Sequence, residues 1–131
     1  MSKKMSSETN AINWFEIPAL DIARAKKFYE TILEVELSDM EMAGTKMALF
    51  PYDGTKGTVG GALVQSEMHI PAATGTVIYL NANPDLQLVL NKVEKAGGKI
   101  VMQKTLINEQ AGNMAFISDK EGNTIGLHSN K

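Results

Sequence analysis

The chain has 131 residues, is 44% hydrophobic and carries a formal net charge of −2, which suits one compact domain or two half-domains sharing a core. The mildly acidic balance offers no basic face for nucleic acid, and the absence of cysteine excludes disulfides, thiolate catalysis and cysteine-held zinc. No apolar run approaches the roughly 18–20 residues that span a bilayer, and Met1–Asn10 lacks the apolar stretch of a signal peptide, so the expectation is a flexible tail on a cytoplasmic protein that engages neither nucleic acid nor membrane.

In chain order, Ala11–Ile17 alternates as a strand does, with Trp14 and Glu16 on one face and Asn13, Phe15 and Ile17 on the other. Pro18 ends it, having no N–H to give a ladder. Asp21 is placed to cap a helix over Ile22–Leu33, in which Ile22, Ala25, Phe28, Tyr29, Ile32 and Leu33 share one stripe. Val35–Ser38 and Thr45–Pro51 are predicted strands, and Asp53-Gly54 a turn. Gly60–Gln65 is a further strand whose glycine pair marks a bulge or a close backbone approach. The stretch Gly54–Gly61 lacks the spacing and the following helix of a phosphate loop, and is predicted as a hairpin. Ser66–Gly75 is polar and contains Pro71; it joins two halves, and its His69 is expected to be a solvated loop histidine.

Beyond it, Thr76–Ala82 is a strand with Val77, Tyr79 and Asn81 on one face. Asn83-Pro84-Asp85 starts a helix over Leu86–Ala96, with Asn83 as cap and Pro84 as first helical residue. Gly97-Gly98 closes it. Lys99–Gln103 and Asn113–Ser118 follow as strands, with Lys104 expected in a solvated loop. Asp119–Asn123 is a tight turn into the last strand, Thr124–Ser129.

The same order of elements therefore occurs twice: sixty-four residues after Asp21, Asp85 stands at the start of the second helix. Internal repetition on this scale implies a duplicated unit. The predicted organisation is a tail over 1–10, a first βαβββ module over 11–66, a linker over 67–75 and a second module over 76–131, all in one structural domain. The fold class is α+β, with the two modules forming a cupped mixed sheet.

Two stretches carry a family resemblance. Trp14-Phe15-Glu16-Ile17-Pro18, followed by Asp21-Ile22-Ala23-Arg24-Ala25-Lys26-Lys27-Phe28-Tyr29-Glu30, resembles the opening module of the vicinal oxygen chelate superfamily. That group includes glyoxalase I, the bleomycin-resistance proteins and the extradiol dioxygenases. The segment Phe116–Leu127, with Asp119-Lys120-Glu121-Gly122 inside it, resembles the family's terminal hairpin. The resemblance runs over Ala11–Ser129 and implies a glyoxalase/bleomycin-resistance-like fold, a homodimer and a small organic ligand. Metal-dependent members use His or Glu from the first strand of each module, with carboxylates from later strands. Those positions fall here on Trp14, near Val77, on Gly126 and within Gly60–Leu63, none of which brings a ligating side chain. The implied function is a small-molecule-binding cup without the usual metal ligands.

Glu16 lies two residues past Trp14 and His128 two past Gly126, each on the same strand face as its neighbour. Such a pair can accept and return a proton on a carbonyl compound. A lyase or isomerase using Glu16 and His128 is therefore the alternative function, and a divalent metal held by these two and water is its metal form; the expectation is no cofactor. In the plainer reading Glu16 is tied to backbone or sheet edge and His128 is exposed near the C-terminus. Trp14 and Tyr79 can stack on a planar ligand that Asn81 orients, or can simply fill space. A third possibility is a structural or regulatory partner whose cup is filled.

Overall fold

The computed structural model describes residues 3–131. Among them are β1 (Trp14–Pro18), α1 (Ile22–Leu33), β2 (Ser38–Met42), β3 (Thr45–Leu49), β4 (Gly60–Gln65), β5 (Tyr79–Asn81), α2 (Leu86–Val93), β6 (Lys99–Asn108), β7 (Gly112–Ser118) and β8 (Thr124–Ser129), with a short 3-10 helix at Gly54–Lys56. They build two βαβββ modules. Each makes a four-stranded sheet, ordered β1-β4-β3-β2 and β5-β8-β7-β6. In both, the first strand runs parallel to the last and the other pairs are antiparallel. The chain is α+β, as its repetition predicts.

The duplication extends to single hydrogen bonds. The Ala19 N–H donates to the Val64 carbonyl, and the Ala82 N–H to the His128 carbonyl. The next residue of each last strand then serves a helix: Gln65 Oε1 accepts from the Ile22 N–H and Ser129 Oγ from the Leu86 N–H. Asp21 and Asp85 cap the two helices, accepting from Arg24 and Gln87, each in extended backbone. The expected Asn83 cap is thus corrected to Asp85. Asn83 spends its side chain on Asn81 and on the Asn130 N–H, and Pro84 precedes the cap, after a cis bond.

The helical stripes bury against one core that draws on both modules. Phe28, Tyr29 and Ile32 of α1 and Leu86, Leu90 and Val93 of α2 join Ile17, Leu63, Leu80, Ile117 and Leu127. Each such side chain stabilises the fold by about 1.5–3 kcal/mol relative to exposure. A second, small cluster of Met47, Ala62 and Val64, with Leu49 against it, lies on the other face of the first sheet.

Other boundaries move. Val35 packs on the core and the strand expected there begins at Ser38, after Glu34 takes a left-handed conformation at φ 54°. All five residues of β2 are exposed, so no apolar alternation announced it. β5 is shorter than expected and β6 much longer. Helix α2 stops at Val93, and its closure uses Gly97 at φ 103°, with Gly97 donating to Glu94 and Gly98 to Val93. Of the expected tail, Met1 and Ser2 lie outside the described residues; Ser6–Thr9 forms a hydrogen-bonded turn. Among the described residues no helix is long and apolar enough to cross a membrane.

Candidate functional site

Strand alternation separates the two faces of each sheet. Phe15 and Ile17 pack on the shared core, while Trp14 and Glu16 point to the opposite, helix-free face with 37% of Trp14 exposed. In the second module Leu80 is buried and Tyr79 and Asn81 are exposed, Tyr79 by 48%.

Glycines shape both aromatic sites. Tyr79 pairs in register with Gly126, and a Cβ on Gly126 would come within 2.5 Å of the Tyr79 ring. The ring therefore lies flat on strand β8, its centroid 5.7 Å from that of Phe116. Trp14 pairs with Gly60, over which the Tyr52 ring lies at 2.5 Å from the position of an added Cβ. Trp14 meets Tyr52 edge-on at 5.5 Å. Each exposed aromatic is thus braced by a second ring.

Glu16 has side-chain partners. Its Oε2 accepts from the Trp14 indole N–H at 3.3 Å, and its Oε1 lies 2.7 Å from His69 Nε2. His69 does lie in the loop after β4, but it is half-buried and hydrogen-bonded rather than freely solvated: its Nδ1 is 2.7 Å from Ser66 Oγ. That oxygen already accepts from the N–H groups of Met68 and His69. Its own hydrogen is then best given to Nδ1, which leaves Nε2 carrying the proton donated to Glu16. Tyr52, Ser66 and His69 were missed as site residues. The Ser66-x-x-His69 spacing directly after β4 was the available signal, since a serine there turns the chain and aims the histidine back.

His128 is half-buried and in register with Asn81 and Met114. Its Nε2 donates to the Ala111 carbonyl, which leaves Nδ1 as the acceptor of a neutral ring. Glu16 and His128 sit on different sheets, each with its own partners. By contrast, the structure brings Trp14 to Glu16 directly and Tyr79, Asn81 and His128 onto one strand-pair face. Lys104, expected in a loop, lies in β6 and donates to Asp85 Oδ1 at 2.8 Å; that bond chiefly holds the Asp85 carboxyl below its ordinary range.

The residues do not fit the divalent ion of metal-dependent superfamily members. Trp14 and Tyr79 stand opposite glycines, and among the described residues no three His, Asp or Glu side chains could hold a metal together. A groove of about 490 Å³ between α1 and the β2–β3 edge includes both Lys26 and Asp39, which form an ion pair, and holds none of the predicted site residues.

Buried polar and charged side chains gather at the β7–β8 hairpin. Asp119, Glu121 and Asn123 are buried there. Asp119 Oδ2 accepts from the Tyr29 hydroxyl at 2.6 Å, and its Oδ1 from the N–H groups of Glu121 and Asn123. Burial, then Asp119, pushes the Tyr29 phenol well above its ordinary value. Glu121 receives Arg24 at both carboxylate oxygens and the N–H groups of Leu20 and Asp21. Burial alone would raise its pKa, but those donors outweigh it and hold the carboxyl low.

The profile of the Glyoxalase/Bleomycin resistance protein/Dioxygenase superfamily matches residues 11–127. "Putative glyoxylase CFP32" of Mycobacterium bovis is 28% identical over 132 residues; the match covers 97% of this chain and 48% of that protein, so the chain spans about half the length of this relative. Among solved structures, a glyoxalase/bleomycin resistance protein from Albidiferax ferrireducens aligns with a TM-score of 0.67 at 14% identity, covering 93% of this chain and 100% of that one. Glyoxalase I from Zea mays aligns at 0.66 and 20% identity, covering 90% and 45%. The fosfomycin resistance protein FosX from Listeria monocytogenes aligns at 0.63 and 10% identity, covering 93% and 92%. These structural likenesses share the fold, and with the profile match they make this chain a member of the glyoxalase/bleomycin resistance protein/dioxygenase superfamily.

Proposed function

We propose that this chain binds a small organic molecule on the helix-free faces of its sheets, without a metal, as a cytoplasmic homodimer. One observation carries the reading: Trp14 and Tyr79 remain exposed there although each is large, mostly apolar and set against a second ring. Braced aromatics with polar groups beside them suit a planar ligand. Glu16 and His69 are those groups beside Trp14, while Asn81 has its Oδ1 engaged by Asn83 and lines a different cavity.

A second reading, a lyase or isomerase using Glu16 and His128, draws on the carboxylate of Glu16 and the unengaged Nδ1 of His128. Glu16 would take a proton from a carbon beside a carbonyl, and His128, once its Nδ1 has gained a proton from solvent while Nε2–H stays on Ala111, would return one to the resulting enolate.

Native mass spectrometry of freshly purified protein tests the first reading, together with the emission of Trp14, the single tryptophan. The expected result is a dimer that retains a small organic adduct and whose emission shifts when the adduct is removed. Glu16→Gln should keep the melting temperature and lose the adduct. A bare monomer, or a Glu16→Gln protein that unfolds, would sink the assignment. For the second reading, proton–deuterium exchange at a bound carbonyl compound should vanish in Glu16→Gln; exchange that persists rejects it.

A further inference from the structure

Two cavities are lined by residues of both modules, and the two junctions they mark differ. At one, the β7–β8 hairpin closes on the start of α1, and the cavity beside it, lined by Pro18, Ile78 and Asn123 among others, is about 230 Å³. At the other, the longer connection between β3 and β4 stands off, and the cavity is about 450 Å³. Only the second falls within the roughly 300–1,000 Å³ usual for ligand sites.

We propose that this second cavity is a small-molecule pocket separate from the Trp14–Tyr79 faces, and that it takes an uncharged, largely apolar molecule bearing a carbonyl acceptor. Its walls include Phe15, Phe50 and Val59 from one module and Leu80 and Val89 from the other. Phe15 and Phe50 form a tilted pair 5.4 Å apart, which gives a flat ligand an aromatic wall. No charged side chain lines it.

The polar groups decide the ligand's chemistry. Thr58 has no hydrogen left to give: its hydroxyl accepts from the Asp53 N–H and donates to the Asp53 carbonyl. Asn81 Oδ1 accepts from both the backbone N–H and the Nδ2 of Asn83. Asn83 Oδ1 accepts from the Asn130 N–H. Because a backbone N–H can only donate, both amide orientations are fixed. The side-chain hydrogens still free in the lining are those of Asn81 Nδ2 and the second one of Asn83 Nδ2. Donors beside apolar walls call for an acceptor. A carboxylate would supply one but would lose its hydration with no cation to meet it, so a neutral carbonyl is preferred.

The test is a titration of the full-length, 15N-labelled protein with benzamide, and separately with benzoate, followed by amide NMR. Benzamide should shift the signals of Val59, Asn81 and Asn83, with a Kd on the order of millimolar for so small a probe, and benzoate should bind at least about tenfold more weakly. Val59→Phe should fill the space and weaken benzamide by about tenfold or more while leaving the Trp14 indole signal in place. Should that variant fail to fold, Asn83→Ala serves, with an expected loss of about threefold or more. Equal binding of benzoate, shifts confined to Trp14 and Tyr79, no shift at any soluble concentration, or full affinity in the variant would each overturn the proposal. The Trp14 signal keeps this outcome distinct from that of the sheet-face site.

Discussion

Asp119–Asn123, before β8, and Asp53–Thr58, before β4, occupy the same place in their modules and behave oppositely. The first drives an aspartate, a glutamate and an asparagine into the protein, where they hold Tyr29, Arg24 and the carbonyl of Pro18. The second turns on itself: Asp53 caps its own 3-10 helix, accepting from Thr55 at the backbone and the hydroxyl. That hydroxyl, then the backbone N–H, keeps the exposed Asp53 carboxyl low. A duplicated fold needs only one of its two junctions clamped to fix how the halves sit; the other is then free to stay open.

This contrast can be broken most directly at the two aspartates. Asp119→Ala strips the buried Tyr29 hydroxyl and two buried N–H groups of their acceptor. Such losses cost about 1–3 kcal/mol apiece, so a total of at least about 3 kcal/mol is expected in chemical denaturation. Asp53→Ala should cost no more than about 1 kcal/mol, a fall of a few degrees in melting temperature, since it frays only a surface cap. Comparable losses from the two would mean that the open loop is as structural as the clamp.

Gly61→Ala should come next. An added Cβ would lie 2.3 Å from the Phe15 ring, which packs on the core and lines the open pocket. Overpacking of this kind costs about 1–3 kcal/mol, and the displaced ring should also shrink the pocket and weaken benzamide. Stability and benzamide affinity both unchanged would show that Phe15 is loosely held.

The clamp also predicts an acid limb. Glu121 titrates below its ordinary value in the fold, so it adds stability that is present above its unfolded value of about 4.3 and is lost as pH falls through the lower folded one. Denaturation midpoints should therefore drop on acidification below about pH 4.5, and Glu121→Gln should flatten that drop while lowering stability near neutrality. An unchanged slope in the variant would remove Glu121 as its cause. Tyr29 acts at the other extreme: its raised value favours the fold until the unfolded phenol ionises near pH 10, and Tyr29→Phe should erase that alkaline limb.

Much of the architecture was legible because it is written in local terms. Asp21 as a cap, the stripe through Phe28 and Ile32, the alternation of Trp14 against Phe15 and the hairpin glycine Gly122 each follow from residue type and spacing. The site was legible only in part. Alternation put Trp14, Glu16, Tyr79 and Asn81 on faces, but no pattern within β1 could say that Glu16 meets a histidine fifty-three residues away. Likewise the glycines at 60 and 126 read as missing ligands, whereas in three dimensions they are seats for rings that come from elsewhere in the chain. Exposed β2 and the far end of β6 were lost because edge strands need no apolar period.

The smallest expected effect separates a seat from a wedge. Gly126→Ala would put a methyl 2.5 Å from the Tyr79 ring, nearly the same intrusion as at Gly61. But Tyr79 is 48% exposed, so its ring can swing toward solvent and the cost should stay under about 1 kcal/mol. The ring would then leave Phe116, and the contacts between the two rings in NMR should weaken even though the fold holds. If Gly126→Ala instead cost as much as Gly61→Ala, Tyr79 would be pinned by its surroundings. It would then be part of the packing, and the sheet-face ligand would have only Trp14 left to stack on.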